Sequence, residues 1–285
     1  MKKFINILNV GLLAILMVFV GCKKDNDDQI IEEPHHEVEF TKAEFIFTEG
    51  HTHGLSFHGD PVYEGVKYLK NQQKVTYNLV DGKWVIADAT PIRFRQSSYY
   101  GLEIVYYNAE GVRVNSEIIE EADVHQHFFQ IENPKAIKTG TIPADINTLM
   151  AYTYRDTNPE NKYYTGANAV GVELLASPVG LKGYFQVKHN YVAFDLKVSL
   201  SHFLAAKAKQ QDGAYRPYNV LPSGNVAHSD FQVTIPVRIF SDRLDEKNEV
   251  QDLMDEFNIS QEEAEAEIDA KLNADVDTES GQVWM

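Results

Sequence analysis

Alternating apolar and polar residues run through the chain from Phe40 onward and predict β-strands. Asp81-Gly82 between two such stretches is typical of a tight β-hairpin turn. The strands recur at a spacing of roughly 8–12 residues, which favours an immunoglobulin-like β-sandwich. The strands predicted in this first region are 43–48, 74–80, 83–86, 92–95, 102–107, 112–114 and 124–131.

A break in the pattern at 135–143 predicts a junction before a second strand-rich region. Pro236 lies inside the last predicted strand and indicates a strand edge or a bulge. We therefore predict a mainly β protein with one or two immunoglobulin-like β-sandwich domains, at residues 40–134 and 140–241. The strands of the second region are predicted at 149–154, 170–175, 183–188, 193–200 and 231–240.

Helical periodicity replaces the strand pattern in the acidic tail, residues 242–285. Val250, Leu253 and Phe257 recur at helical spacing, and Ser260 with Glu263 forms a capping-box signature for a second short helix. Ala264, Ile268 and Leu272 would share one face of it. The pattern is compatible with a docked helical hairpin and with an appendage that binds a partner.

The first 39 residues carry targeting signals rather than fold signals. Two lysines precede an apolar stretch, and Val18-Phe19-Val20-Gly21-Cys22 resembles a bacterial lipobox. We therefore predict a signal peptide at 1–21, lipidation (palmitate) at Cys22, and a disordered tether at 22–39. The alternative is a plain secretory signal. Because Cys22 is the only cysteine, its lipidation would leave a protein without thiols.

Composition narrows the choice of partners. The chain has 285 residues and a formal net charge of −16, which disfavours nucleic acid because phosphate binding requires a basic surface. An acidic protein attracts cations more readily.

Histidine spacing provides the strongest chemical signal. Side chains at i and i+2 of a strand lie on one face, so a His-x-His pair can converge on one cation. The chain contains two such pairs and a nearby fifth histidine. We predict one metal site built from both segments, with the ligands His51, His53, His58, His125 and His127.

The remaining histidines carry weaker signals. His189 and His202 stand alone in predicted strands, where a structural role is the simpler interpretation and a ligand role the alternative. His228, in a predicted loop, indicates nothing. Imidazole ligands without thiolates suit zinc, copper, nickel or iron, and zinc is our first choice because its tetrahedral geometry fits two His pairs.

Catalytic signatures are incomplete in this sequence. Glu49 and Asp60 flank the first His pair, Glu120, Glu121 and Asp123 precede the second, and any of them could serve as a general base. However, His-Glu-x-x-His is absent and no other template is complete. We therefore predict a binding protein rather than an enzyme. A surface metallohydrolase using the same histidines is the first alternative. An adhesin or ligand-binding lipoprotein with incidental histidines is the second.

Several motifs together resemble a family of Bacteroidota outer-membrane lipoproteins. The resemblance implies a lipid-anchored location at the outer membrane, where an acidic stretch behind the cysteine favours surface exposure. It also implies partnership with a TonB-dependent receptor, uptake or homeostasis of a transition-metal ion, and a ligand role for His202 and His189. The motifs are Gly50-His51-Thr52-His53-Gly54, Phe57-His58-Gly59, Asp123-Val124-His125-Gln126-His127-Phe128-Phe129, and Gly180-Leu181-Lys182-Gly183 before the strand ending Leu200-Ser201-His202.

Overall fold

Strands form most of the regular structure in the computed structural model, which describes residues 38–60, 65–166, 169–242, 244–274 and 284–285. The predicted signal peptide, Cys22 and nearly all of the tether lie outside these residues. The strands are β1 (Lys42–His53), β2 (Ser56–Gly59), β3 (Gln72–Val80), β4 (Lys83–Ile86), β5 (Ile92–Gln96), β6 (Tyr99–Tyr107), β7 (His125–Ala136), β8 (Met150–Tyr154), β9 (Thr157–Asn158), β10 (Glu173–Leu174), β11 (Lys182–Val187), β12 (Val192–Phe203) and β13 (Ala227–Asp242).

Two sheets carry the fold. The larger has the order β4-β3-β1-β6-β11-β8, with β2 paired to the end of β1, and the smaller has the order β5-β13-β12-β7. β5 pairs with β13 in parallel, whereas the other neighbours in these two sheets are antiparallel. The prediction of a mainly β, sandwich-like fold with a short helical segment near the C-terminus is confirmed, with 43% strand and 15% helix.

The predicted boundary between two sandwich domains does not divide these sheets. β11, from the second predicted domain, pairs with β6 of the first, and β7 of the first pairs with β12 of the second. Residues 38–285 accordingly group into one unit. The polar junction at 135–143 connects strands within a single sandwich.

One hydrophobic core lies between the sheets. It is lined by residues that alternate along the strands, and it joins Phe45 of β1 to Phe231 of β13, whose stacked ring centroids are 6.1 Å apart. Burying aromatic side chains of this size contributes a large part of the stability of such a core.

Three of the predicted strands differ in detail from the strands of the structure. Residues 112–114 form only an isolated bridge at Arg113 before helix α1 (Asn115–Glu120), and 170–175 contributes the two-residue β10. Pro236 lies within the inner strand β13, but pairing with β5 starts at Val237. The strand therefore has a free edge at the proline, as its missing N–H requires.

The helical tail is docked onto the sandwich. Helices α2 (Glu246–Phe257) and α3 (Gln261–Ala274) pack through Leu253, Ala264 and Ile268. The capping box forms as predicted, because Glu263 N–H donates to Ser260 Oγ at 3.1 Å and Ser260 N–H to Glu263 Oε2 at 3.1 Å. Leu272 differs from the prediction and is 48% exposed.

A buried ion-pair network attaches helix α3 to the larger sheet. Glu49 of β1 is paired with Arg95 of β5 and with Lys271 of α3, and all three side chains are largely buried. Burial alone would raise the pKa of Glu49, but the charges of Arg95 and Lys271 outweigh it and lower the pKa to about 2. Helix α3 is thus anchored two residues before His51.

Candidate metal centres

The first histidine cluster forms on the hairpin of β1 and β2. His51 lies directly opposite His58, and His53 lies opposite Ser56. His51 and His53 share one face because side chains alternate along a strand. The sequence prediction that His51, His53 and His58 come together is therefore supported by the geometry. We call these three residues the hairpin cluster.

Two glycines allow this hairpin. Gly54 adopts a φ of 66°, the left-handed region that favours glycine, and it turns the chain between the two strands. A Cβ at Gly50 would lie 2.1 Å from the carbonyl oxygen of His58 and 2.7 Å from the Phe57 ring. Only glycine lets β2 fold this closely onto β1.

Three ring nitrogens of the hairpin cluster converge. His51 Nε2 lies 3.0 Å from His53 Nε2 and 3.3 Å from His58 Nδ1. Ligands bound to tetrahedral zinc at 2.0–2.1 Å are separated from one another by about 3.3 Å. The three nitrogens are therefore spaced as a metal would hold them.

Asp60 fixes the orientation of the central ring. His51 Nδ1 lies 3.0 Å from Asp60 Oδ1, and Asp60 is buried. Since a carboxylate only accepts, Nδ1 carries the proton and Nε2 presents a lone pair to its two neighbours. A carboxylate that orients a metal-bound imidazole in this way is a common feature of protein metal sites.

The chemistry of the three rings favours a cation at their meeting point. One ring nitrogen has one lone pair and accepts one hydrogen bond well, so His51 Nε2 cannot accept strongly from both neighbours. A cation, in contrast, takes one lone pair from each ring.

The hairpin cluster is accessible on one side. His53 is exposed and the His51 side chain is 44% exposed, whereas His58 is buried. Trp284 stacks on His58 with ring centroids 4.2 Å apart. An ion can therefore enter beside His53, while the opposite side of the cluster is closed by His58 and Trp284.

His127, predicted as a ligand, has a structural role instead. Its ring is fully buried in the core, where Nδ1 lies 2.8 Å from the carbonyl oxygen of Val179 and Nε2 lies 2.7 Å from Tyr106 Oη. Burial lowers its pKa to about 3. With both nitrogens occupied, His127 is a neutral core histidine.

The predicted single site of five histidines is not formed. Tyr106, which bonds His127, lies opposite Ala43 near the start of β1, whereas His51 lies eight residues further along that strand. At the rise of an extended strand, the Cα atoms of Ala43 and His51 are about 26 Å apart. This distance is far beyond the reach of one coordination shell.

His125 joins a different group, which we call the sheet-end cluster. Two of its side chains, His125 and His202, were named as possible ligands from the sequence. It also contains the carboxylate of Glu121, and two residues that the sequence analysis missed, His228 and Asp230. The signal that could have found the last two is the His-x-Asp spacing at 228–230. Its location in an assumed loop concealed it.

His189 is not part of either cluster. Its Nε2 lies 3.5 Å from Thr148 Oγ1, and it does not occur in the groups of metal-binding side chains found within the described residues. A ligand role for His189 therefore has no geometric support.

Comparison with protein-family models, curated proteins and solved structures finds no match for this chain. The resemblance to Bacteroidota lipoproteins stays a prediction. Among the described helices, none combines the length and the apolar character needed to cross a membrane.

Proposed function

We propose that this protein is a metal-binding lipoprotein of the outer membrane, which captures a transition-metal ion, zinc first, for uptake or homeostasis. The observation that carries the proposal is the convergence of three imidazole nitrogens at 3.0 and 3.3 Å, with His51 oriented by Asp60. Borderline divalent ions prefer such ligands, and copper, nickel and iron are the alternatives.

Among the residues that the structure describes, the hairpin cluster provides three ligands, whereas a closed structural zinc site has four. Three histidines with a free position also occur in catalytic zinc sites, where water occupies it, and this observation favours a surface hydrolase as the second candidate. Hydrolysis would also need a general base. Asp60 is engaged by His51, and Glu49 is paired with Arg95 and Lys271. Both flanking carboxylates therefore have other partners, which supports capture over catalysis.

The location of the protein follows from the lipobox-like sequence that ends at Cys22. Lipidation there would hold the sandwich at the membrane through the tether at 22–39, close to a TonB-dependent receptor. An open coordination position on the accessible side of His53 would let the receptor, or a chelator, supply the fourth ligand during transfer.

Metal titration of the purified chain tests the proposal. Zinc is titrated against a chromophoric chelator, and the wild type is compared with a His51→Ala/His53→Ala variant, which should bind one fewer ion per chain. His189→Ala is the matched control, because it removes an imidazole outside both clusters, and it should bind as the wild type does.

Two results would contradict metal capture at this site. One is a double variant that binds zinc with wild-type stoichiometry and affinity. The other is a wild type that binds no zinc, and this result would favour the adhesin alternative. Turnover of model esters by the zinc-loaded chain, lost in the double variant, would favour the hydrolase.

A further inference from the structure

The sheet-end cluster contains three histidines in one row across three strands. His202 of β12 is the register partner of His125 in β7 on one side and of His228 in β13 on the other. Register partners in a sheet project from the same face, and neighbouring strands are about 4.8 Å apart. The fold itself therefore brings the three imidazoles together.

A β-bulge adds a carboxylate to this row. Leu200 pairs with Phe231 and Ser201 pairs with Ser229, so Asp230 is an extra residue with no partner on β12. Bulges of this kind redirect a side chain. Phe231 keeps its position in the core, and Asp230 also reaches the histidines.

The carboxylate of Asp230 contacts all three rings. Its oxygens lie 3.3 Å from His125 Nε2, 3.6 Å from His202 Nδ1 and 3.1 Å from His228 Nε2. These separations are close to those between neighbouring ligands of a zinc ion, about 3.3 Å. Possible ligand atoms of His202, His228 and Asp230 all lie within 4.8 Å of one another, and so do those of Glu121, His125 and His202. His202 thus belongs to both triads.

Two buried atoms at this site are left without a hydrogen-bond partner. His125 is 1% exposed, and its Nδ1 lies 3.7 Å from Glu121 Oε2; neither atom makes a hydrogen bond. Leaving buried polar groups unpaired is costly, and such pairs call for an explanation. A cation bound at His125 Nε2 would explain this pair, because the ring proton would then be on Nδ1. Glu121 could accept a hydrogen bond from that proton after a small movement.

We propose that the sheet-end cluster is a second metal centre, with His202, His228 and Asp230 as its ligands. A small movement of the His125 ring, whose Nε2 lies 3.3 Å from Asp230, adds a fourth ligand, and Glu121 is a positioning residue. The mixed nitrogen and oxygen donors suit zinc, iron(II) or manganese(II). This inference does not rest on capture by the hairpin cluster.

Burial of its ligands should make this centre exchange its ion more slowly than the hairpin cluster. His125 and His202 are 1% and 6% exposed, and this centre is open to solvent on the side of Asp230 and His228, whose side chains are 23% and 49% exposed. In the hairpin cluster only His58 is buried. An ion held across β7, β12 and β13 exchanges slowly and joins the ends of three strands. We therefore assign a resident, stabilising ion to the sheet end and an exchangeable ion to the hairpin.

The experiment uses the His51→Ala/His53→Ala chain, so that failure at the hairpin cannot be confused with failure here. After zinc loading and a brief chelator wash, this variant should retain one ion per chain. Adding Asp230→Asn, which conserves shape, should weaken zinc affinity by at least tenfold and remove the retained ion. Zinc should also raise the melting temperature of the first variant by several degrees, and that shift should be lost in the second.

Folding is checked separately, because a variant in the sheet could fail to fold. Near-ultraviolet circular dichroism should match between the two chains, and His228→Gln, at a side chain that is 49% exposed, provides a second ligand change outside the core. Absence of retained zinc in the His51→Ala/His53→Ala chain would overturn the proposal. Unchanged retention in both the Asp230→Asn and His228→Gln chains would do so as well.

Discussion

At the residue scale, the second nitrogen of each histidine decides its role. His51 directs Nδ1 to Asp60 and offers Nε2 to its neighbours, whereas His127 uses both nitrogens on the carbonyl of Val179 and the hydroxyl of Tyr106. Both histidines belong to His-x-His pairs. The spacing therefore identifies residues that can share a face, and the partner of the second nitrogen identifies which of them can bind a metal.

Replacing Asp60 by asparagine tests this logic at the hairpin cluster. The amide can donate to His51 Nδ1, which would move the ring proton to Nε2 and block the lone pair that faces the cluster. We expect zinc affinity at the hairpin to fall by about 10- to 100-fold with the fold retained. Competition against a chelator of known affinity measures the change.

The control for this prediction is Asp88→Asn. Asp88 is exposed and accepts a hydrogen bond from the N–H of Thr90, two residues away. Its variant should bind zinc as the wild type does. Equal affinities of the Asp60 and Asp88 variants would show that Asp60 does not orient a ligand.

At the element scale, local features were predictable and long-range pairing was not. The β3–β4 hairpin and the capping box follow from signals a few residues apart, as does the hairpin cluster. The position of His125 depends on which strand lies beside it, and that strand carries His202, 77 residues later in the numbering. Asp230 was missed because the strand was predicted to begin at Phe231, which left residues 228–230 in an assumed loop, whereas β13 begins at Ala227.

The attachment of α3 to the sheet supports a second prediction. Glu49→Gln removes the carboxylate that pairs directly with both Arg95 and Lys271 and leaves these two buried cations beside each other. Losing one partner of a buried ion pair costs about 3–5 kcal/mol of unfolding free energy. Urea unfolding at pH 7 measures this cost, and Glu262→Gln, on the exposed face of α3, is the control that should change little.

The pH dependence of the unfolding free energy of the wild type should reveal the same interaction of Glu49 with Arg95 and Lys271. The folded-state pKa of Glu49, about 2, lies below its ordinary value of 4.5. The unfolded chain therefore takes up the proton first as the pH falls, so the contribution is complete above pH 4.5 and is lost towards pH 2. A wild type and a Glu49→Gln variant with the same loss of stability between pH 5 and pH 2.5 would refute the assignment.

At the scale of the whole molecule, the sandwich separates what the sequence suggested was one site. The apparent junction at 135–143 made two domains a reasonable prediction, but β11 completes the sheet begun by β1 and β6, and β5 joins the sheet of β13. Such pairings join segments far apart in sequence. The polar and apolar alternation predicts the faces of strands without predicting their neighbours.

The separation of the two clusters leads to a prediction about their independence. Effects of substitutions usually add when sites are more than 7–10 Å apart and share no partners. The hairpin cluster lies at the end of β1, whereas the sheet-end cluster lies in the other sheet, on β7, β12 and β13. His127, two residues from His125, bonds Tyr106. Tyr106 lies opposite Ala43, which is about 26 Å from His51 along β1. In zinc-saturated protein, the loss of unfolding free energy in a His51→Ala/His53→Ala/Asp230→Asn chain should equal the combined losses of its two parents within about 0.5 kcal/mol. Urea unfolding with and without chelator measures the three differences. A larger departure would show that the two sites are energetically coupled through the packing between the two sheets.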